Sequence, residues 1–113
     1  MNIYLKTRYA YCPNAFVRWA QYGNGNIAIR LMLPSGAPLM TATVNPSVPL
    51  ALDEVAVKNW SENEGAEESL IRAGVIEGAP VRTMNLNHVK INIYKLTPDA
   101  LADLELYRMS AKI

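Results

Sequence analysis

The first fifty-two residues of this 113-residue chain contain no aspartate or glutamate, although Lys6, Arg8, Arg18 and Arg30 lie among them. Cysteine and histidine occur once each, as Cys12 and His88. A single cysteine closes no internal disulfide and has no neighbouring thiol with which to hold a metal, a usage that fits the reducing cytoplasm. A single histidine leaves no histidine metal cluster, and any catalytic triad would need other residue types for its remaining members. Nowhere do about eighteen apolar residues follow one another. The opening MNIYLKTRYAYCPNAF has neither the charged head nor the unbroken apolar run of a secretory signal. No membrane span and no export are expected, and no metal or cofactor is implied.

What the first half lacks is gathered further on. Seven of the ten carboxylates fall between Asp53 and Glu77, where only Lys58 and Arg72 oppose them, so a segment of net −5 lies between flanks of +4 and +2. The overall charge of +1 conceals an asymmetry that marks the middle segment as a polar surface suited to a partner. Half of the residues are apolar and 19% are charged, the balance of an ordinary folded domain. At this length about two thirds of the unfolded chain's surface is buried on folding, enough for a core without staples. Residues 1–113 are therefore read as one α+β domain: an antiparallel sheet of four to six strands with a middle helix and a C-terminal helix.

The strands come from alternation, because successive side chains of an extended chain point to opposite faces. From Ala15 to Val44, Val17 and Trp19 alternate with Phe16, Ala20 and Tyr22, and Ile27, Ile29, Leu31 and Leu33 alternate with Ala28, Arg30 and Met32. Gly23, Asn24, Gly25 and Asn26 tolerate the positive φ of a tight turn and predict a hairpin. A reversal at Pro34–Pro38 leads to a third strand over Leu39–Val44, and Asn2–Lys6 reads as an edge strand in front of this meander. Asn45–Pro49 is a loop, since two prolines in four residues cannot both sit inside a ladder. Glu54–Lys58 is a short strand, Val81–Leu86 a strand or a loop, and His88–Leu96 a strand.

Two helices follow from their start signals. Ser61 with Glu64 three residues on matches a capping box, which predicts a helix with Ala66, Leu70 and Ala73 on its inner face, Ile71 at the border and Gly74 at its end. Glu68 and Arg72 are placed to pair one turn apart on the outer side. Gly65, unfavourable inside a first turn, implies either something packed closely on its backbone or a later start capped by Asn63. Thr97, Pro98 and Asp99 read as N-cap, first helical position and a carboxylate at the positive end of a second helix reaching about Ser110, with Leu101, Leu104 and Met109 as its buried stripe.

None of these features spells a reaction. His88 has no acid near it in sequence, and Cys12 before Pro13 has no base, so both read as structural. Asp53, Glu54, Glu62, Glu64, Glu67, Glu68 and Glu77 could supply an acid–base pair or an oxygen cage for a cation, but the spacing lacks the alternate aspartates and central glycine of a calcium loop. Arg18 and Arg30 on neighbouring strands near Trp19 and Tyr22 raise a sheet face that binds single-stranded nucleic acid. Tyr4, Tyr9, Tyr11, Phe16 and Trp19 form a second candidate surface, because tyrosine joins a large apolar body to a polar tip.

The run from Leu39 through Gly74, LMTATVNPSVPLALDEVAVKNWSENEGAEESLIRAG, resembles a small family of phage, plasmid and integrative-element proteins in which a threonine-rich strand, a proline-bearing loop and an aromatic residue before Ser-Glu-Asn-Glu-Gly lead into a helix. Trp60, Ser61, Glu62, Asn63, Glu64 and Gly65 carry the likeness. It implies no activity, only a genomic setting in which small proteins act by occupying a surface on a host defence or replication machine. The sequence therefore points to a non-catalytic interaction protein, an inhibitor of a bacterial defence system being one form, that meets a host protein through Trp60, Glu62, Asn63, Glu64, Glu67 and Glu68. A single-stranded nucleic-acid binder is the second reading and a small carboxylate-based enzyme the third.

Overall fold

The period-two pattern of the first half folds as an antiparallel meander. Strands β1 (Asn2–Lys6), β2 (Tyr11–Gln21), β3 (Ile27–Met32) and β4 (Pro38–Thr41) pair in chain order into one sheet. The computed structural model describes residues 1–111. Ile3, Leu5, Val17, Trp19, Ile29 and Leu31 are buried on one face of this sheet and Tyr4, Lys6, Arg18 and Arg30 are exposed on the other, but β3 departs from the expected alternation, since Ala28 and Met32 on the Arg30 side are buried as well. Gly23–Asn26 closes the β2–β3 hairpin, with the Tyr22 amide on the Asn26 carbonyl at 2.8 Å and Gly25 at φ 91°.

The second half builds a separate three-stranded sheet from β5 (Glu54–Val57), β6 (Arg82–Leu86) and β7 (Val89–Lys95), in the order β5-β7-β6. The ambiguous stretch before Leu86 is thus a strand. It is paired residue by residue with β7, and the two-residue turn between them is Asn87 and His88 at φ 49° and 68°. His88 accordingly sits exposed in the hairpin turn rather than opening the strand, because the left-handed backbone of a tight hairpin fits its right-handed twist.

Residues Ala42–Val44 join the two sheets. The Ala42 amide bonds the Ile29 carbonyl at 2.8 Å, while the Ala42 carbonyl accepts the Lys58 amide at 2.8 Å and the Val44 amide bonds Ala56 at 3.0 Å. Thr43 serves both sides, its Oγ1 accepting the Ile29 amide at 3.2 Å and its backbone bridging Val57. The larger core lies between the sheets and helices and takes residues from both halves, among them Leu5, Trp19, Leu31, Val55, Val57, Leu70, Tyr94 and Leu104. A smaller cluster, Ala56, Ile91 and Ile93, fills the other side of the second sheet under Leu50 and Trp60. All four residues of β5 are consequently buried.

Helix α1 (Ala66–Arg72) buries Ala66 and Leu70, with Ile71 and Ala73 half-buried. Helix α2 (Pro98–Ala111) starts as the sequence implies, with Thr97 Oγ1 accepting the Ala100 amide at 3.1 Å. Its inner face is Ala100, Leu101 and Leu104. Met109 is 64% exposed, against expectation. It lies five positions beyond Leu104, about 140° round the helix, and so leaves the inner stripe.

The proline loop is pinned by one buried side chain. Asn26 Nδ2 donates to Asn45 Oδ1 at 3.1 Å and the Val48 carbonyl at 3.1 Å, and Asn26 Oδ1 accepts the Leu50 amide at 2.8 Å. An asparagine expected only to help a turn thus also holds residues 45–50 over the small core. Asn26→Ala strips several buried polar groups of their partner, so we expect a loss of about 2 to 3 kcal/mol. Urea unfolding checks the loss, and the Leu50 amide should lose its hydrogen-exchange protection ahead of Leu31.

Candidate functional site

The acidic segment does not form a free negative patch, because cations from the rest of the chain reach into it. Asp53 pairs with Lys95 at 3.9 Å, Glu54 with Arg82 at 2.6 Å and Glu64 with Arg8 at 3.4 Å, while Glu62 takes Lys58 of its own segment at 2.5 Å. Most of these pairs are exposed and contribute little stability. Glu54 is the exception, with an 8% exposed side chain that also accepts the Ala51 amide at 3.0 Å. The Arg82 guanidinium holds its carboxyl below the ordinary 4.5, against burial, which pushes it up. Lys58 likewise lowers the Glu62 carboxyl. Of the seven carboxylates, Glu68 and Glu77 stand exposed outside every ion pair among the described residues, and the expected Glu68–Arg72 pair is not formed.

The capping box is not formed either. Ser61 adopts φ 53° and opens a 3-10 turn, Ser61–Asn63, without a side-chain cap bond, and α1 begins only at Ala66. The 3-10 turn brings Asn59 back over the helix start, where its Oδ1 accepts the amides of Gly65 and Glu67, both at 3.2 Å. Of the two explanations offered by Gly65, close packing is right: at φ 103°, a Cβ would lie 2.9 Å from the Lys6 carbonyl oxygen and 3.0 Å from Thr7 Cα. The helix does begin late, but its cap is Asn59, not Asn63. No local pattern announces Asn59, because the chain must first fold back on itself.

The six residues expected to meet a partner are separated by this geometry. Trp60 is half-buried over the small core. Asn63 is 1% exposed and its Nδ2 donates to the Thr41 carbonyl at 2.8 Å, which removes it from any outer surface. Glu67 turns inward, accepting the Tyr94 hydroxyl and Asn92 Nδ2. Burial, together with that carboxylate, drives the Tyr94 phenol well above its ordinary value. Glu62, Glu64 and Glu68 face outward.

Of these, Glu64 meets the β1–β2 loop. Its backbone is fastened to the helix corner by the Arg8 amide on the Glu64 carbonyl at 2.9 Å, and by Ser69 Oγ, which accepts the Lys6 amide and donates to the Lys6 carbonyl, both at 3.2 Å. Arg8 lies over the Tyr9 ring, 5.5 Å from its centroid, and Tyr9 is 67% exposed. Arg8, Tyr9 and Glu64 are therefore held together at one corner. Arg8 is missing from the sequence-derived set, since only the fold carries it to Glu64 across fifty-six positions.

Cys12 is buried, His88 is at an outer turn, and among the described residues no three histidine, cysteine, aspartate or glutamate side chains converge as a metal site. No described helix is long and apolar enough to cross a membrane. No family model, curated protein or solved structure matches the chain.

Two measurements check the site's construction. Asn59→Ala should lower stability by about 1 kcal/mol and Ser61→Ala by less than about 0.5, the reverse of what a capping box requires, while Gly65→Ala should lose at least about 2. The Glu54–Arg82 pair contributes stability above the ordinary glutamate value and loses it as pH falls through the lowered one. The difference in urea midpoint between parent and Arg82→Met should therefore shrink as the pH is taken below about 4.5.

Proposed function

We propose that this chain is a non-catalytic protein-interaction protein of a phage or mobile genetic element, working in the cytoplasm, and that its contact surface is the corner where the β1–β2 loop meets the start of α1. The observation that carries this reading is the exposed Arg8–Tyr9–Glu64 group on a backbone fixed from both sides. Tyrosine and arginine dominate the energetics of protein contacts, and a contact group that is already ordered loses little entropy on binding. Glu68 in the first turn of α1 adds an exposed charge outside any ion pair among the described residues, which favours a partner with a basic patch. The Leu39–Gly74 resemblance supports the genomic setting, and inhibition of a host defence protein is the role that fits a small domain with a fixed recognition corner and no assembled reaction centre.

The test is capture from a bacterial lysate, followed by direct titration of the protein retained. Tyr9→Ala should weaken that complex at least about thirtyfold, as removal of an anchor does. Glu68→Lys should slow association most at low salt. Both variants should unfold within about 0.5 kcal/mol of the parent, since they alter exposed side chains. Full retention of the partner by both variants would place the contact elsewhere.

A further inference from the structure

The outer face of the four-stranded sheet has a composition that packing does not explain. Arg18 stands directly opposite Arg30 in the β2–β3 ladder, and side chains so placed have Cβ atoms only about 5 Å apart. Like charges in this position repel, yet neither guanidinium belongs to an ion pair among the described residues. Both are exposed, and β1 to β4 carry no carboxylate that could relieve them. Asp103, which lines a groove of about 420 Å³ with Arg18, is engaged by Trp19 Nε1 at 2.7 Å.

The same face carries aromatic rings. Phe16 adjoins Arg18 on β2 and lies half-exposed opposite Asn2. Tyr4 and Tyr11 are 54% and 63% exposed, with ring centroids 5.5 Å apart and planes at 87°, and Lys6 lies opposite Tyr11. Cations and rings thus run diagonally across three strands, from Lys6 and Tyr11 through Tyr4 and Phe16 to Arg18 and Arg30. Helices α1 and α2 contribute their buried residues to the core on the opposite side of the sheet, and α2 borders this path only at its Phe16–Arg18 end, where Asp103, Leu106, Tyr107 and Ser110 form the other wall of the groove.

We propose that this face binds single-stranded nucleic acid, with phosphates held by Arg18, Arg30 and Lys6 and bases stacked on Tyr4, Tyr11 and Phe16. A phosphodiester between Arg18 and Arg30 replaces their repulsion by charge-assisted hydrogen bonds from two guanidinium forks. An unpaired base offers a flat face to each ring, whereas in a duplex those faces are already stacked. An acidic peptide satisfies the cations but makes no use of the rings, so the combination favours nucleic acid. This site is distinct from the recognition corner and stands or falls without it.

Fluorescence anisotropy with a labelled oligothymidylate of about twelve nucleotides provides the test. For three phosphates, the logarithm of the binding constant should fall with the logarithm of salt at a slope of about −2. R18A/R30A should bind at least tenfold more weakly with a slope near −0.7, and R18K/R30K should keep the parental slope. Y4A/Y11A should weaken binding about tenfold or more and leave the slope unchanged. Tyr9→Ala should bind the oligonucleotide like the parent, which separates failure here from failure of the corner. The proposal is overturned if the parent does not bind at about 50 mM salt, if R18A/R30A binds like the parent, or if Y4A/Y11A has no effect. Displacement by polyglutamate as readily as by unlabelled oligothymidylate would also overturn it and assign the face to an acidic protein.

Discussion

Two backbones meet at Gly65 at a distance that admits no side chain, and much of the candidate site depends on that contact. The Lys6–Thr7 backbone occupies the space a Cβ would need, so the β1–β2 loop can seat on the helix corner only with glycine there. Once it is seated, Ser69 bridges Lys6 and the Arg8 amide reaches Glu64, both from directions that fix the loop's height and tilt. Positive φ at Gly65 turns the chain from the 3-10 segment into α1, which aims Leu70 into the common core. Backbone geometry, packing and the exposure of Tyr9 are consequences of one close approach.

The charge asymmetry of the sequence is in large part spent within the molecule. Arg8 comes from the acid-free first third and Arg82 and Lys95 from the last, and each meets a carboxylate of the middle segment. Segregation along the chain becomes pairing in space, which favours the native arrangement of the three parts over others without adding much stability where the pairs are exposed. Among the charges left over are Glu68 and Glu77 of the middle segment and the Arg18–Arg30 pair on the sheet face. The Glu68 carboxylate and the two guanidinium groups lie exposed on different elements and are of opposite sign.

The strands and the main hairpin were legible because alternation and Gly-Asn-Gly-Asn are local signals, although β3 is buried on both faces except at Arg30. Thr97 as a helix cap was legible for the same reason. The start of α1 was not, since Ser61 and Glu64 have the right spacing but the turn is dictated by the loop that packs on Gly65. Asn26, Asn59 and Asn63 look alike in sequence, yet one pins the proline loop, one caps the helix and one is buried under Thr41; each role needs a partner distant in the chain or a prior turn. Glu67 read as surface because acids at helix starts are usually solvated, and only the pairing of β5 with β7 brings Tyr94 beneath it. Met109 followed the wrong stripe by about 140°. The Asn87–His88 turn lacked the glycine that advertises such hairpins, although both residues tolerate left-handed backbone more readily than most.

The central claim is that the corner is a fixed platform and not a mobile loop, and native-state hydrogen exchange of the Arg8 amide tests it most directly. That amide lies in a connection between strands, where exchange is ordinarily fast, but it is bonded to the Glu64 carbonyl across the Gly65 contact. The account predicts an opening free energy close to that of the Leu31 amide in the centre of the first sheet, and exchange that accelerates together with it in urea. Exchange as fast as that of the Gly36 amide at the β3–β4 turn would show that the loop opens independently of the fold and would contradict the account.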